Sequence, residues 1–262
     1  MKTNILRLTA AVGATLLMGA ALPAVAASSP ASAPVKNIVL VHGAFVGGSG
    51  WRPVYDILTK DGYKVTLVQE PLTSFAEDVT ATKRILDRQD GPAILVGHSY
   101  GGAIITEAGN DSHVAGLVYI AAHALDAGET EVGNGKKFPN ATPAQDLVKT
   151  PDGFLFLDPA HYPADFAADL PLKQAQFEAQ AQMPTSAQVF TAQIADPAWK
   201  VKPSWYMVAK MDHIINPDLE RMYAARAHSH TVEIAGASHS VYESHPKEVA
   251  ALIEQAAQHA QD

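Results

Sequence analysis

The chain contains no cysteine. Disulfides are therefore excluded, and so is anchoring through a lipid-modified cysteine. Its fold must rest on its core alone, which 262 residues with 47% hydrophobic content can supply for one domain. Positive charge is also scarce. Nineteen Lys and Arg stand against 27 Asp and Glu, a formal net charge of −8, which argues against nucleic acid and anionic membrane surfaces as partners. There is no internal repeat and no run of coiled-coil heptads. No H-E-x-x-H or paired zinc spacing occurs, so no metal is expected. The glycines around Gly97 and Gly101 lack the lysine and spacing of a P-loop, so no nucleotide cofactor is expected either.

Only one long apolar stretch is present, and it lies at the start of the chain. Met1-Lys2-Thr3-Asn4 and Arg7 form a basic segment, Leu8 to Leu22 an apolar one, and Ala24-Val25-Ala26 an A-x-A cleavage site. Residues 1–26 read as a signal peptide. The alternative is a membrane anchor, disfavoured by the alanine-rich composition and the small-residue site. No twin arginine is present, which points to the general secretory route and to a periplasmic or extracellular protein. Loss of Lys2 and Arg7 takes the net charge to −10. Residues 27–35 form a Ser/Ala/Pro linker, and no membrane span is expected beyond it. Nothing in the sequence specifies an oligomeric state.

From Lys36 onward, strand-like and helix-like segments alternate. Strands are expected over Lys36–Val41, Tyr63–Val68, Ala93–Gly97, Val114–Ala121, Ser204–Ala209 and Thr231–Ala235. Helices are expected over Trp51–Lys60, Phe75–Asp87 (with Ser74 as N-cap), Tyr100–Gly109, Asn216–Ala227 and Pro246–His259. Short apolar strands separated by helices predict an α/β domain over residues 36–262, a mostly parallel sheet covered on both faces. Ligands in such sheets bind at the carboxyl ends of the strands. Residues 123–200 break the rhythm with proline-punctuated pieces and are expected to form a small, partly helical cap. Its Phe154, Phe156, Tyr162, Phe166, Phe177, Met183 and Phe190 should mostly fill the cap's own core, with one or two facing a pocket.

The most specific signal is Gly97-His98-Ser99-Tyr100-Gly101, a G-x-S-x-G string between the strand Ala93–Val96 and the helix that follows. A serine on so sharp a strand-to-helix turn is forced into a strained conformation. The residues two before and two after it must be tiny, a requirement Gly97 and Gly101 meet. Together with Val41-His42-Gly43-Ala44-Phe45, Lys210-Met211-Asp212-His213 followed by Asn216-Pro217, and Gly236-Ala237-Ser238-His239, this elbow resembles the α/β-hydrolase superfamily. The resemblance covers residues 36 to about 259, and within it the chain is similar to small esterase-type members.

The resemblance implies a triad in the order Ser, Asp, His. Ser99 is the candidate nucleophile and His239 the base that takes its proton. Asp212 orients the imidazole; Asp126 is the rival, since some relatives place their acid after the preceding strand. A serine at 99 counts against dehalogenase and epoxide-hydrolase relatives. The oxyanion hole is expected from the backbone N–H groups of Tyr100 and Ala44, with Phe45 the alternative second donor. Phe45 and Trp51 are candidate pocket residues, though Trp51 could equally anchor the first helix. His213 has no assigned role. The expected activity is cleavage of small to medium carboxylic esters through an acyl-enzyme, without a cofactor. Lactone opening, perhydrolysis and hydroxynitrile cleavage are alternatives on the same triad. A non-catalytic ligand-binding protein is the alternative of another class.

Overall fold

The computed structural model describes residues 34–261, together with Met1, Thr9 and Ala10. The expected signal peptide and most of the linker lie outside the described residues. The first half runs β1 (Asn37–Val41), a 3-10 turn over Gly48–Trp51, α1 (Arg52–Lys60), β2 (Lys64–Leu67), α2 (Phe75–Leu86), β3 (Ala93–Ser99), α3 (Gly101–Ala108) and β4 (Val114–Ala122). Helix α1 starts one residue later than the sequence suggests. Gly48-Ser49-Gly50 tightens into the 3-10 turn, and Pro53 then opens the helix.

Between β4 and the next core strand lie α4 (Glu131–Lys137), β5 (Leu147–Lys149), β6 (Phe154–Leu157), α5 (Tyr162–Asp165), α6 (Leu172–Gln180) and β7 (Thr185–Ser186). Strands β5, β6 and β7 form a small antiparallel sheet. Tyr162 and Phe166 are buried, while Phe177 is 72% exposed. The core resumes with β8 (Ser204–Ala209), α7 (Pro217–Arg226), β9 (His230–Ile234), α8 (Val241–Ser244) and α9 (Pro246–His259).

The core sheet has the order β2-β1-β3-β4-β8-β9, and every neighbouring pair is parallel. Strands β1, β3 and β8 are buried along their whole length. They read as unbroken apolar runs because side chains of both parities meet helices. Val39, Val41 and Leu95 face α2, α3 and α7 on one side. Ile38, Leu40, Ile94 and Val96 face α1, α8 and α9 on the other. Local signals set the helix starts. Ser74 Oγ accepts a hydrogen bond from the Glu77 N–H. Asn216 Oδ1 accepts one from the Asp218 N–H (2.8 Å), with Pro217 at the first helical position. Among the described residues no helix is long and apolar enough to cross a membrane.

Candidate active site

The turn from β3 into α3 holds Ser99 at φ 55°, left-handed backbone that a non-glycine residue adopts at a cost. The turn closes only because its neighbours lack side chains. A Cβ on Gly97 would lie 2.5 Å from the Gly101 carbonyl oxygen, and one on Gly102 would lie 2.5 Å from the His123 oxygen. The β1–α1 loop arrives from the other side. A Cβ on Gly43 would sit 2.7 Å from that of Ser99.

The ends of β8 and β9 supply the partners. His239 Nε2 lies 2.8 Å from Ser99 Oγ. Its Nδ1 lies 2.5 Å from Asp212 Oδ2, and both side chains of that pair are buried. The other Asp212 oxygen accepts the backbone N–H groups of Ile214 (2.7 Å) and Ile215 (2.9 Å). Those bonds leave Oδ2 for the imidazole and assign the Nδ1–H tautomer, so Nε2 faces the serine as an acceptor. The rival acid Asp126 is on the surface, paired with Lys200 at 2.5 Å. His213 is half-buried. Its backbone carbonyl accepts the N–H groups of Ala141 and Thr142, so its visible part is to tie down the loop after α4.

Three supporting groups were not evident from sequence. His98 is buried behind the elbow, with Nε2 2.9 Å from the His239 carbonyl oxygen. Burial and the neighbouring His239 hold its imidazole well below the usual range, so it donates as a neutral ring. Phe166 packs edge-on against His239, with ring centroids 4.7 Å apart. Glu220 on α7 is fully buried, and one oxygen accepts the Ala209 N–H (3.0 Å). Burial, then the charge of Asp212, holds its carboxyl well above the carboxylate range. Its place three residues after Pro217 reads in sequence as an ordinary first-turn helix acid.

Neither the Ala44 nor the Tyr100 N–H donates to another group among the described residues. The alternative donor, Phe45, is engaged: its N–H donates to Thr185 Oγ1 (3.0 Å), and its carbonyl accepts the Met183 N–H (3.0 Å). Phe45 itself has φ 67°. The segment around β7 thus clamps a strained loop, with Ala44 one residue before the clamp. Behind it, His42 pairs with the buried Glu70 at 2.6 Å. Burial alone would lower the His42 pKa, but the Glu70 carboxylate outweighs it and raises it. His42 Nδ1 lies 2.9 Å from the Gly43 oxygen, and the Glu70 backbone N–H lies 3.1 Å from its Nε2.

A cavity of about 680 Å³ is lined by Phe45, Phe138, Leu155, Leu157, Phe190 and Ile215 among others, and Ile215 is the residue whose N–H donates to Asp212. Phe45 therefore lies on the pocket wall, its ring packed against Phe190. Trp51 does not, which corrects the sequence expectation. It is fully buried on the other face of the sheet, against Tyr242 (4.8 Å between centroids) and His98 (6.4 Å). The 3-10 turn rotates the indole under the sheet, and it anchors the elbow from behind.

Known proteins resemble this chain in sequence or in fold. A sequence model of the alpha/beta hydrolase family matches residues 38–252. The carbendazim hydrolyzing esterase of Nocardioides sp. (strain SG-4G) is 34% identical over 110 aligned positions, which take in 37% of this chain and 46% of that protein's length. The chain thus spans about half of that relative. The fold is similar to that of a pyrethroid hydrolase from Sphingobium faniae JZ-2, with a TM-score of 0.71, 23% identity and coverage of 86% of this chain and 98% of that one. It is also similar to that of an extracellular alpha/beta-hydrolase from a Paenibacillus species, with a TM-score of 0.68, 17% identity and coverage of 85% and 99%.

Proposed function

The chain belongs to the alpha/beta hydrolase family, and from that premise we propose that it is a serine carboxylesterase acting on small to medium esters. The observation that carries this reading is the Ser99–His239–Asp212 relay, at 2.8 and 2.5 Å, beside two backbone N–H groups with no other acceptor among the described residues. The names of the Nocardioides and Sphingobium relatives, an esterase and a hydrolase, support the same reading.

Ser99 Oγ attacks the ester carbonyl carbon while its proton passes to His239 Nε2. The carbonyl oxygen takes up the negative charge and is held by the N–H groups of Ala44 and Tyr100. The latter lies at the start of α3, where the helix dipole adds positive potential. Asp212 stabilises the imidazolium. Collapse of the tetrahedral intermediate breaks the bond to the alcohol oxygen, which leaves with the proton from Nε2. Water then gives its proton to the same nitrogen, attacks the acyl-enzyme, and releases the acid with Ser99 restored. Every step uses residues already in place, and no cofactor enters.

Hydrolysis of p-nitrophenyl esters from acetate to palmitate tests the reading. Activity is expected to peak at short to medium chains. Ser99→Ala should lower kcat by at least about 10⁴-fold. Wild-type turnover in that variant would overturn the assignment. A folded protein inert on every ester, with Ser99 unlabelled by a fluorophosphonate, would favour the non-catalytic reading. The basic, apolar and A-x-A segments of residues 1–26 support export. Sequencing the mature protein from the extracytoplasmic fraction should then begin at Ala27, whereas an intact Met1 in that fraction would count against cleavage.

A further inference from the structure

Asp78 stands at the fourth position of α2. An acid in a first helical turn ordinarily faces water and complements the helix dipole. Asp78 is instead fully buried. A buried polar group is costly unless hydrogen bonds satisfy it, and both Asp78 oxygens are satisfied. Oδ2 accepts the Tyr100 hydroxyl (2.6 Å), and Oδ1 accepts the Leu72 backbone N–H (2.8 Å). Each of those partners leads to one of the two N–H groups proposed to hold the oxyanion.

The first arm is direct. Tyr100 is itself one proposed donor and caps α3. Its ring lies against those of Phe75 and Phe190, with centroids 6.4 and 6.1 Å away. Such apolar contacts are non-directional, so it is the hydroxyl bond to Asp78 that fixes where the side chain ends. The second arm runs through the backbone. Leu72 has φ 57°, left-handed for a residue with a Cβ. Asp78 holds its N–H, and its carbonyl accepts the Ser186 N–H (2.8 Å). One residue earlier, Thr185 Oγ1 accepts the Phe45 N–H (3.0 Å), and the Met183 N–H donates to the Phe45 carbonyl (3.0 Å). Phe45 is also left-handed (φ 67°) and directly follows Ala44, the other proposed donor. Two strained residues thus lie at the two ends of one hydrogen-bonded chain that begins at Asp78. Strain of this kind persists only where the surroundings over-determine it.

We propose that Asp78 is a positioning residue for catalysis: one buried carboxyl group fixes Tyr100 directly, and Ala44 through Leu72 and β7, and so sets the spacing of the two oxyanion donors. The proposal rests on the ester-hydrolase reading and adds to it a residue outside the triad. Oxyanion donors act at the place the oxygen occupies in the transition state, so displacing them costs the transition state more than the bound substrate. Loss of Asp78 should therefore appear in kcat and leave KM nearly unmoved. A residue that only steadied the start of α2 would lower the Tm without separating the two constants.

Hydrolysis of p-nitrophenyl acetate by Asp78→Ala, Asp78→Asn and Tyr100→Phe tests it. Asp78→Ala cuts both arms, and kcat should fall about 10²-fold with KM within about twofold of the wild type. Tyr100→Phe cuts one arm and should lower kcat about tenfold; it carries the test if Asp78→Ala fails to fold. Asp78→Asn keeps an oxygen for the Leu72 N–H and offers an N–H to the Tyr100 oxygen, so kcat should stay within about threefold of the wild type. A trifluoromethyl ketone, which adds to Ser99 Oγ and leaves an oxyanion in the hole, should bind Asp78→Ala more weakly by the factor lost in kcat. The affinity of Ser99→Ala for the intact ester should not change when Asp78→Ala is added. Unchanged kcat in Asp78→Ala or Tyr100→Phe, a rise in KM alone, equal weakening of ketone and ester, or a loss in Asp78→Asn as large as in Asp78→Ala overturns the positioning role. With Ser99-dependent hydrolysis intact in the wild type, each of those results leaves the esterase reading standing. If the wild type hydrolyses no ester but a fluorophosphonate labels Ser99, the esterase reading fails. The labelling rate, which depends on the same hole, then replaces kcat with the same order expected among the variants. If Ser99 is not labelled either, no oxyanion hole operates and the positioning role is rejected too.

Discussion

At Gly43 a single methyl group decides whether the site can assemble. Its Cβ would lie 2.7 Å from Ser99 Cβ and 3.1 Å from His98 Nδ1, inside contact distance of two groups that cannot yield. Gly43→Ala should therefore displace either the nucleophile or the Ala44 N–H by a fraction of an ångström. A kcat/KM about 10²-fold lower is expected, with a near-native far-ultraviolet spectrum. Unaltered kcat/KM would mean that the β1–α1 loop does not set the geometry. Ser99 and His239 were legible in the sequence because a glycine-flanked serine and the chain order Ser, Asp, His are local and ordered signals, while Asp212 was one of two acids on offer. Thr185 and Glu220 were not legible. Each is an ordinary polar residue whose role comes from what it faces, and facing is a tertiary property. For Trp51 the sequence left pocket wall and helix anchor both open, and the ring's burial on the far side of the sheet decides for the anchor.

At the scale of elements, the short strand β7 does more than complete a three-stranded sheet. Thr185 Oγ1 accepts the Phe45 N–H, the Met183 N–H donates to the Phe45 carbonyl, and the Ser186 N–H donates to the Leu72 carbonyl (2.8 Å). Leu72 in turn donates its N–H to Asp78 Oδ1, whose other oxygen accepts the Tyr100 hydroxyl (2.6 Å). One segment of the insertion thus braces both sides of the proposed oxyanion hole. Thr185→Val keeps the shape but leaves the Phe45 N–H without its acceptor. The stability cost should be about 1–2 kcal/mol. Because the oxyanion forms only in the transition state, kcat should fall about tenfold with KM nearly unchanged. A rise in KM alone would show that the clamp serves substrate binding instead. The core elements were readable from short β-branched runs, capping residues and Asn-Pro or His-Pro helix starts. The internal structure of residues 123–200 was not, because β5, β6 and β7 are two to four residues long and carry no periodic pattern.

For the whole molecule, the buried carboxyls give stability a definite pH dependence. Burial raises Glu131 to about 8, burial and then the charge of Glu178 raise Glu243 to about 9, and Glu220 is held higher than usual by burial and Asp212. These groups keep their protons in the folded state but lose them near pH 4.5 in the unfolded chain. Between about pH 4.5 and 9 the folded state binds more protons, so stability declines as pH rises. Glu129 acts in the opposite sense. Burial would raise it, but the Arg226 guanidinium, hydrogen-bonded at 2.8 and 2.9 Å, holds it down to about 2. That contribution is present above pH 4.5 and is lost towards pH 2. The Tm should therefore peak near pH 5 and fall on both sides. Glu131→Gln, which cannot ionise, should exceed the wild type by about 5 °C at pH 8 and match it at pH 5. A wild-type Tm that is flat from pH 5 to 9 would show that these carboxyls are ionised in the folded protein.

The sequence by itself determined the parallel α/β order, the strained elbow, the charge that disfavours nucleic acid and the lack of any disulfide. These follow from local pattern and composition, which act over a few residues or are simple sums. The tertiary structure alone decided that Asp212 and not Asp126 reaches His239, and that Phe45 and not Trp51 faces the cavity. Those outcomes depend on which segments distant in the chain meet at the carboxyl edge of the sheet, and on the burial that follows when they do.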